Sequence, residues 1–297
     1  MKKQMIFAVF TLLLPVLMFA ENSRLNSLKD RSEGLIPRQV AAKMLIKDRV
    51  PEVGPVLAQI VKNPKEDGKM RLFCMKSLGE MEYRPLGPTP AEIKQLFVDM
   101  GDGILVRDDK SFSLSKAYLE ILGSSKFKDD PEVLVVLGQF VGKADKEDLK
   151  IKEDLKLKAM DVLGASSSKD TLTLLMITLS DKKPEIRKKA LLLISKQAQG
   201  DAVTLFISKL EEETDDDVRA VYAEELNKLP IPKIRSSWIA DLKYWATEEP
   251  VESIKLNLNA ALARVKEANP GKGLAGPNIS VPRRPRPVVP KPIEKKK

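Results

Sequence analysis

The sequence predicts an all-α protein, an α-solenoid of about seven stacked helix pairs. Three observations carry that prediction. One pattern of apolar residues recurs seven times at intervals of 31 to 44 residues, the length of a supersecondary unit that repeats. Between its recurrences lie other apolar stripes with the i, i+3, i+4, i+7 rhythm of a helix face. No segment between them alternates with the period of two that a strand requires.

The pattern is clearest at Ile186. With that residue as position zero, a basic residue follows at position one (Arg187) and apolar residues at four, five, seven and eight (Ala190, Leu191, Leu193, Ile194). The same spacing starts at Met70 (Arg71, Cys74, Met75, Leu78, Gly79), Leu114 (Tyr118, Leu119, Ile121, Leu122, Gly123), Leu155 (Lys156, Ala159, Met160, Val162, Leu163, Gly164) and Val218 (Arg219, Tyr222, Ala223, Leu226). Weaker copies start at Pro37 (Arg38, Ala41, Ala42, Met44, Leu45) and Ile254 (Lys255, Leu258, Ala261, Leu262). Six of the seven copies hold a basic residue at position one; Ser115 replaces it in the other. Glu225 and Asn259 occupy apolar positions and weaken their single copies. Apolar-Arg-x-x-Ala-Ala-x-Ala-Leu-Gly resembles the second helix of a HEAT repeat, closest to the short bacterial type, over roughly residues 22 to 265. The resemblance implies an armadillo-like stack of helix pairs.

Composition bounds the chemistry. Of 297 residues, one is cysteine and none is histidine. Without histidine there is no Ser-His-Asp or Cys-His catalytic unit and no His-ligated metal. Some HEAT-like families bind iron through His-Glu pairs, and that route is closed here. A lone cysteine makes no intramolecular disulfide and no cysteine metal cluster; Cys74, at an alanine position of its repeat, reads as a small buried hydrophobe. No cofactor is expected.

Taken in order, residues 1–20 (MKKQMIFAVFTLLLPVLMFA) set two lysines before an apolar run that ends at Phe19-Ala20. This is the layout of a secretory signal peptide. The run is shorter than the roughly 20 residues of a spanning helix, and Pro15 interrupts it. Cleavage near Ala20 is expected, with an uncleaved anchor as the alternative; no later stretch is long and apolar enough to span a bilayer. Residues 21–270 form the solenoid. Pro37 suits a first helical position. The partner helices carry Val53, Val56, Leu57, Ile60 and Val61; Val133, Leu137, Phe140 and Val141; Leu172, Leu175, Met176 and Leu179; and Val203, Phe206, Ile207 and Leu210. Neither helix of a pair buries its stripe alone, whereas stacking makes one core. Loops are expected at 80–89 and 101–111, with the segment 145–154 as further insertion. Such insertions are binding edges in some repeat proteins and plain solvated loops in others.

Gly101-Asp102-Gly103 lacks the alternating carboxylates of a calcium loop, and Glu211 to Asp217 reads as acids complementing a helix N-terminus. The arginines at position one (Arg71, Arg187, Arg219) are expected to stack along one edge and pair with acids of neighbouring turns, with ligand binding as the other reading. Trp238, Ile239, Leu242 and Trp245 make one apolar helix face. Residues 271–297 differ in kind, with six prolines, eight basic residues and one acid. Without this tail and the two lysines of the signal, the remaining acids and bases balance, so the tail carries the excess charge. It is expected to be disordered with polyproline II character.

These features predict an exported, non-catalytic scaffold of the bacterial cell envelope, in the periplasm or at its surfaces, that binds protein partners through the solenoid. Its tail would meet an acidic or aromatic-lined partner, an acidic envelope surface included, through Arg283, Arg284, Arg286, Lys291 and the terminal lysines. Pro282 and Pro285 fit a polyproline groove. Two other classes stand beside that reading. One is an enzyme resembling the HEAT-like phycobilin lyases, with a pocket of converging carboxylates as its mark. The other is a nucleic-acid-binding solenoid, marked by a basic stripe; export and a neutral body argue against it, and a basic tail alone gives only non-specific, salt-sensitive binding.

Overall fold

Each recurrence of the sequence pattern is a helix. The structure is a computed structural model that describes residues 19–81, 90–104, 112–142, 150–231 and 236–270. In chain order the helices are α1 (19–29), α2 (Leu35–Asp48), α3 (Val53–Lys62), α4 (Gly68–Glu80), α5 (Pro90–Ile104), α6 (Phe112–Leu122), α7 (Pro131–Gly142) and α8 (Lys150–Ala165). They continue as α9 (Asp170–Ile177), α10 (Pro184–Ala198), α11 (Ala202–Leu210), α12 (Asp216–Lys228), α13 (Ser236–Glu248) and α14 (Glu252–Ala268). Short 3-10 turns follow α9 (Thr178–Ser180) and α10 (Gln199–Asp201). Among the described residues there are seven helix pairs and no strand, the all-α HEAT-like architecture that the spacing predicts. The even-numbered members carry the recurring pattern.

The described residues fall into two compact units, divided between Ser168 and Lys169. The sequence shows no composition break there and predicts one undivided array; the division is a feature of the packing. In the first unit α4 packs on α6 and α6 on α8, with α3, α5 and α7 stacked as the partner layer. In the second unit α10, α12 and α14 stack in the same way, and α11 packs on α13. Each layer closes the other's apolar face, so Leu57, Met75, Tyr118, Leu137 and Met160 are buried in the first unit and Ile194, Phe206, Tyr222, Leu242 and Leu258 in the second.

A second rule sets how successive even helices meet within a unit. Between α4 and α6, α6 and α8, and α10 and α12, the residue at position nine of one receives the side chain at position seven of the next. A Cβ placed on Gly79 would lie 2.7 Å from Ile121 Cγ1, and one on Gly123 would lie 3.0 Å from Val162 Cγ2. In the second unit the same two positions are Ser195 and Glu225, and the Ser195 hydroxyl donates to Glu225 Oε2 at 2.5 Å. Glu225 thus keeps its helix: it is buried and also accepts from Lys228 Nζ at 3.1 Å. Ser115 is fully buried in α6, and Asn259 is exposed to solvent in an intact α14.

The structure moves several boundaries. Helix α2 starts at Leu35, so Pro37 is its third residue; a proline fits there because the first-turn N–H groups have no intrahelical acceptor. Helix α5 runs through Gly101-Asp102-Gly103 to Ile104, and α8 begins at Lys150, which shortens the expected loops 101–111 and 145–154. The remainder of those loops, residues 82–89, residues 1–18 of the expected signal peptide 1–20 and the tail 271–297 lie outside the described residues, while Phe19 and Ala20 open α1. Leu193 is half-buried where Ser195 is buried, and Met176 is exposed as α9 tightens into its 3-10 turn. No helix among the described residues is long and apolar enough to cross a membrane.

Candidate functional site

The polar side chains that the helical stack brings together are the arginines at position one and a set of glutamates. In α2, Arg38 Nη1 and Nη2 donate to Glu66 Oε1 and Oε2, both at 2.8 Å, and Nε donates to the Leu28 carbonyl at 3.1 Å. Both side chains are 4% exposed. In α10, Arg187 Nε and Nη2 donate to Glu213 at 2.8 and 2.7 Å, and Nη1 donates to the carbonyls of Asp181 (2.9 Å) and Lys182 (3.2 Å). In α12, Arg219 reaches both oxygens of Glu249 at 3.3 Å and the Thr214 carbonyl at 3.0 Å. Arg71 belongs to the same row: its Nε donates to the Val61 carbonyl at 2.9 Å, ten residues back, as Arg38 does to Leu28.

Each glutamate sits in the turn that enters the next even helix, four or five residues before its position zero. Each also accepts a backbone N–H, from Asp67 (2.9 Å), Asp215 (2.9 Å) and Val251 (3.2 Å) respectively. The planar guanidinium matches a carboxylate with two parallel bonds, a geometry that lysine lacks. Arg38, Arg187 and Arg219 therefore join one repeat to the next within each unit; the expected pairing with an acid of a neighbouring turn is present at Arg187 and Arg219, whereas the bond shown for Arg71 is to the Val61 carbonyl. The acidic run before α12 is used in the same way. Glu213 pairs with Arg187, Asp215 caps the helix at the Val218 N–H (3.1 Å), and Asp216 accepts from Arg219 Nη2 at 2.5 Å. Sequence reasoning missed Glu66, Glu213 and Glu249. A glutamate four or five residues before position zero was the signal that would have found them.

Beside the first clamp lies a cleft of ≈ 400 Å³ lined by Arg31, Glu33, Leu35, Arg38, Lys65, Glu66 and Asp67. Its carboxylates already have partners. Hydrogen bonds from Arg38 hold Glu66 below the usual carboxylate range against the effect of burial. Glu33 accepts from the Ser27 hydroxyl at 2.5 Å, and Asp67 caps α4 at the N–H groups of Lys69 and Met70. Cys74 is fully buried, and burial pushes its thiol up to about 12, so it is held as the thiol and not as a nucleophile.

The outward positions of the even helices carry both signs of charge. Position six reads Lys43, Lys76, Glu120 and Asp161 in the first unit and Leu192, Glu224 and Ala260 in the second. That row is not a basic stripe. Leu192 on α10 and Leu256 on α14 are 48% and 62% exposed on the outward faces of their helices. The residues expected to bind through the tail, Pro282, Arg283, Arg284, Pro285, Arg286 and Lys291, lie outside the described residues.

No family model matches the chain, and no curated protein matches it. Among solved structures it is similar to human deoxyhypusine hydroxylase in complex with glycerol, at 17% identity and a TM-score of 0.33, over 84% of this chain and 98% of that one. That protein is an enzyme, and the expectation that this chain is not one is corrected accordingly: a helical-repeat chain of this length is no sign of a protein without catalysis.

Proposed function

We propose that the chain is an exported helical-repeat protein of the bacterial cell envelope that works by holding a protein partner on its even-helix surface. The observation that supports this reading is the outward face of the second unit. Leu192 and Leu256 stand exposed on it, on α10 and α14. Half-buried Ala220 lies on the same face of α12 between them, among Lys196, Glu224 and Lys228. Apolar anchors within a rim of mixed charge are the anatomy of a protein interface. A nucleic-acid surface would instead carry one sign of charge. The test is crosslinking and recovery of partners from intact cells with wild type and with Leu192→Asp/Leu256→Asp. The double variant should keep the wild-type circular dichroism and lose the recovered protein. Equal recovery overturns the reading.

An enzyme is the second reading, and the cleft at Arg31, Glu33 and Glu66 is its candidate place, because carboxylates converge there beside cations. Acid–base work would fall to Glu33, since Glu66 is held ionised by Arg38. A small-molecule screen by thermal shift tests it: a ligand that stabilises wild type and not Glu33→Gln supports a site, and a screen without such a ligand counts against one.

A further inference from the structure

The even-helix face of the second unit has an order of charge along its length. Helices α10, α12 and α14 run the same way. Arg187 and Arg219 tie the start of each helix to the turn into the next, and Arg264, near the end of α14, donates to the Leu229 carbonyl at 3.0 Å just past the end of α12. At the helix starts the face is acidic: Asp216, Asp217 and Glu252 are exposed there, the first two at 66% and 84%. Lys188 lies 2.7 Å from Glu185 but 4.0 Å from Asp217, which leaves Asp217 room for a second cation. The middle of the face carries Leu192, Ala220 and Leu256, with Glu224 beside them paired to Lys228 at 2.7 Å. At the helix ends the face is basic, with Lys196, Lys228 and Arg264.

The chain leaves this unit at Pro270, beyond the basic end, and the residues that follow have the complementary order. Residues 271–281 (GKGLAGPNISV) hold one cation, Lys272, and the apolar Leu274, Ile279 and Val281; Arg283, Arg284 and Arg286 come next. We propose that this segment lies back over the face of its own chain. Leu274, Ile279 and Val281 cover Leu192 and Leu256, and the arginines reach Asp216, Asp217 and Glu252. The tail is then the first occupant of the surface, and a partner has to displace it. The proposal rests on the reading of this face as the binding surface and adds what holds it in the free chain. The lengths agree. Helix α14 is about 25 Å long, and residues 271–283 span about 39 Å at about 3 Å per residue. The arginines therefore arrive at the acidic end with enough chain left for the step of about 10 Å from α14 to α12. Placed nearer the exit they would meet Lys196, Lys228 and Arg264 instead. Exposed ion pairs contribute little each, so the tether, which holds the tail at a roughly millimolar effective concentration, supplies the rest.

Disulfide trapping in the full mature chain tests the proposal; Cys74 is buried and stays out of the exchange. Arg284→Cys with Asp217→Cys should close an intramolecular disulfide about tenfold faster than Arg284→Cys with Lys243→Cys, exposed on α13 in the partner layer, because tethering alone favours neither place. Adding Arg283→Ser and Arg286→Ser should cut that advantage to about twofold or less, and these changes leave the helices untouched. Equal rates for the two pairs overturn the proposal. So does an advantage that the serine changes do not reduce, or a disulfide that forms between two chains or only to a different protein. Partner recovery with Leu192→Asp/Leu256→Asp separates this proposal from the reading beneath it. If trapping fails while recovery still depends on the two leucines, the tail cover alone is removed. If trapping succeeds while recovery ignores the leucines, the tail keeps the face and the partner surface is removed.

Discussion

At the scale of single residues the arginine–glutamate clamps govern. A buried pair is not by itself stabilising, since desolvation opposes the attraction. Removing one partner of such a pair leaves an uncompensated charge and costs about 3–5 kcal/mol. Arg38→Ala is therefore expected to lower the unfolding free energy by about that amount in a urea titration. Glu185→Ala, which removes an exposed pair with Lys188 (59% and 22% exposed), should cost less than about 1 kcal/mol. The pH dependence follows from Glu66. Arg38 lowers its pKa in the folded state, so its contribution is fully present above the ordinary carboxylate range and is lost as the pH falls through that range and below. Glu66→Gln should flatten the acid limb of the stability profile while lowering stability at neutral pH; an unchanged acid limb would show that other carboxylates set it. Leu193, by contrast, is half-buried, so Leu193→Ala should cost less than the about 2–5 kcal/mol of a fully buried position such as Leu191.

At the scale of elements, the contact between positions nine and seven makes a prediction whose sign depends on the neighbour. Gly79→Ala gains about 1 kcal/mol of helix propensity in α4 but places a methyl group 2.7 Å from Ile121 Cγ1, and overpacking costs about 1–3 kcal/mol. The single change should be neutral to destabilising. In an Ile121→Ala background the same change should become stabilising, and a double-mutant cycle by thermal unfolding reads that reversal. Absence of coupling would mean that α4 and α6 do not meet there. Helix existence and pairing were legible from the sequence because position zero and its followers are one buried stripe. Met70, Leu155 and Val218 are each buried with the residues four and five after them. The partners of the arginines were not legible, because each glutamate lies 26 to 30 residues away and pairs only once stacking brings two turns together. Helix ends were legible least: α5 continues through two glycines to Ile104, where packing overrides their low propensity. The exposed apolar face was not legible either, since Leu192 and Leu256 look from the sequence like any apolar helical residues, and only their outward register separates them from the core.

At the scale of the whole molecule, charge is divided along the chain. The net charge is +9, the segment before residue 271 is balanced once Lys2 and Lys3 are set aside, and the remaining excess lies in the last 27 residues. A helical array with mixed surface charge gives binding that salt affects little, whereas opposed charges exposed to solvent are screened within about 8–10 Å at physiological salt. The two proposed contacts, the helical face and the tail, can therefore be separated by salt and by truncation. Export itself predicts a native N-terminus at or near Glu21 by mass spectrometry, and an intact Met1 on a protein retained inside the cell would remove it. For the tail, partner recovery should be compared for the mature chain, a chain ending at Pro270, and a chain with Arg283, Arg284 and Arg286 changed to serine. If the tail grips an acidic surface, the second and third chains lose recovery together and the loss is reproduced by added salt. If it fills a polyproline groove, the serine chain retains most recovery, salt matters less, and Pro282→Ala with Pro285→Ala removes it. Equal recovery by all the chains would leave the face around Leu192 and Leu256 as the binding surface and reduce the tail to a linker, of which a length of about 3 Å per residue is the remaining property.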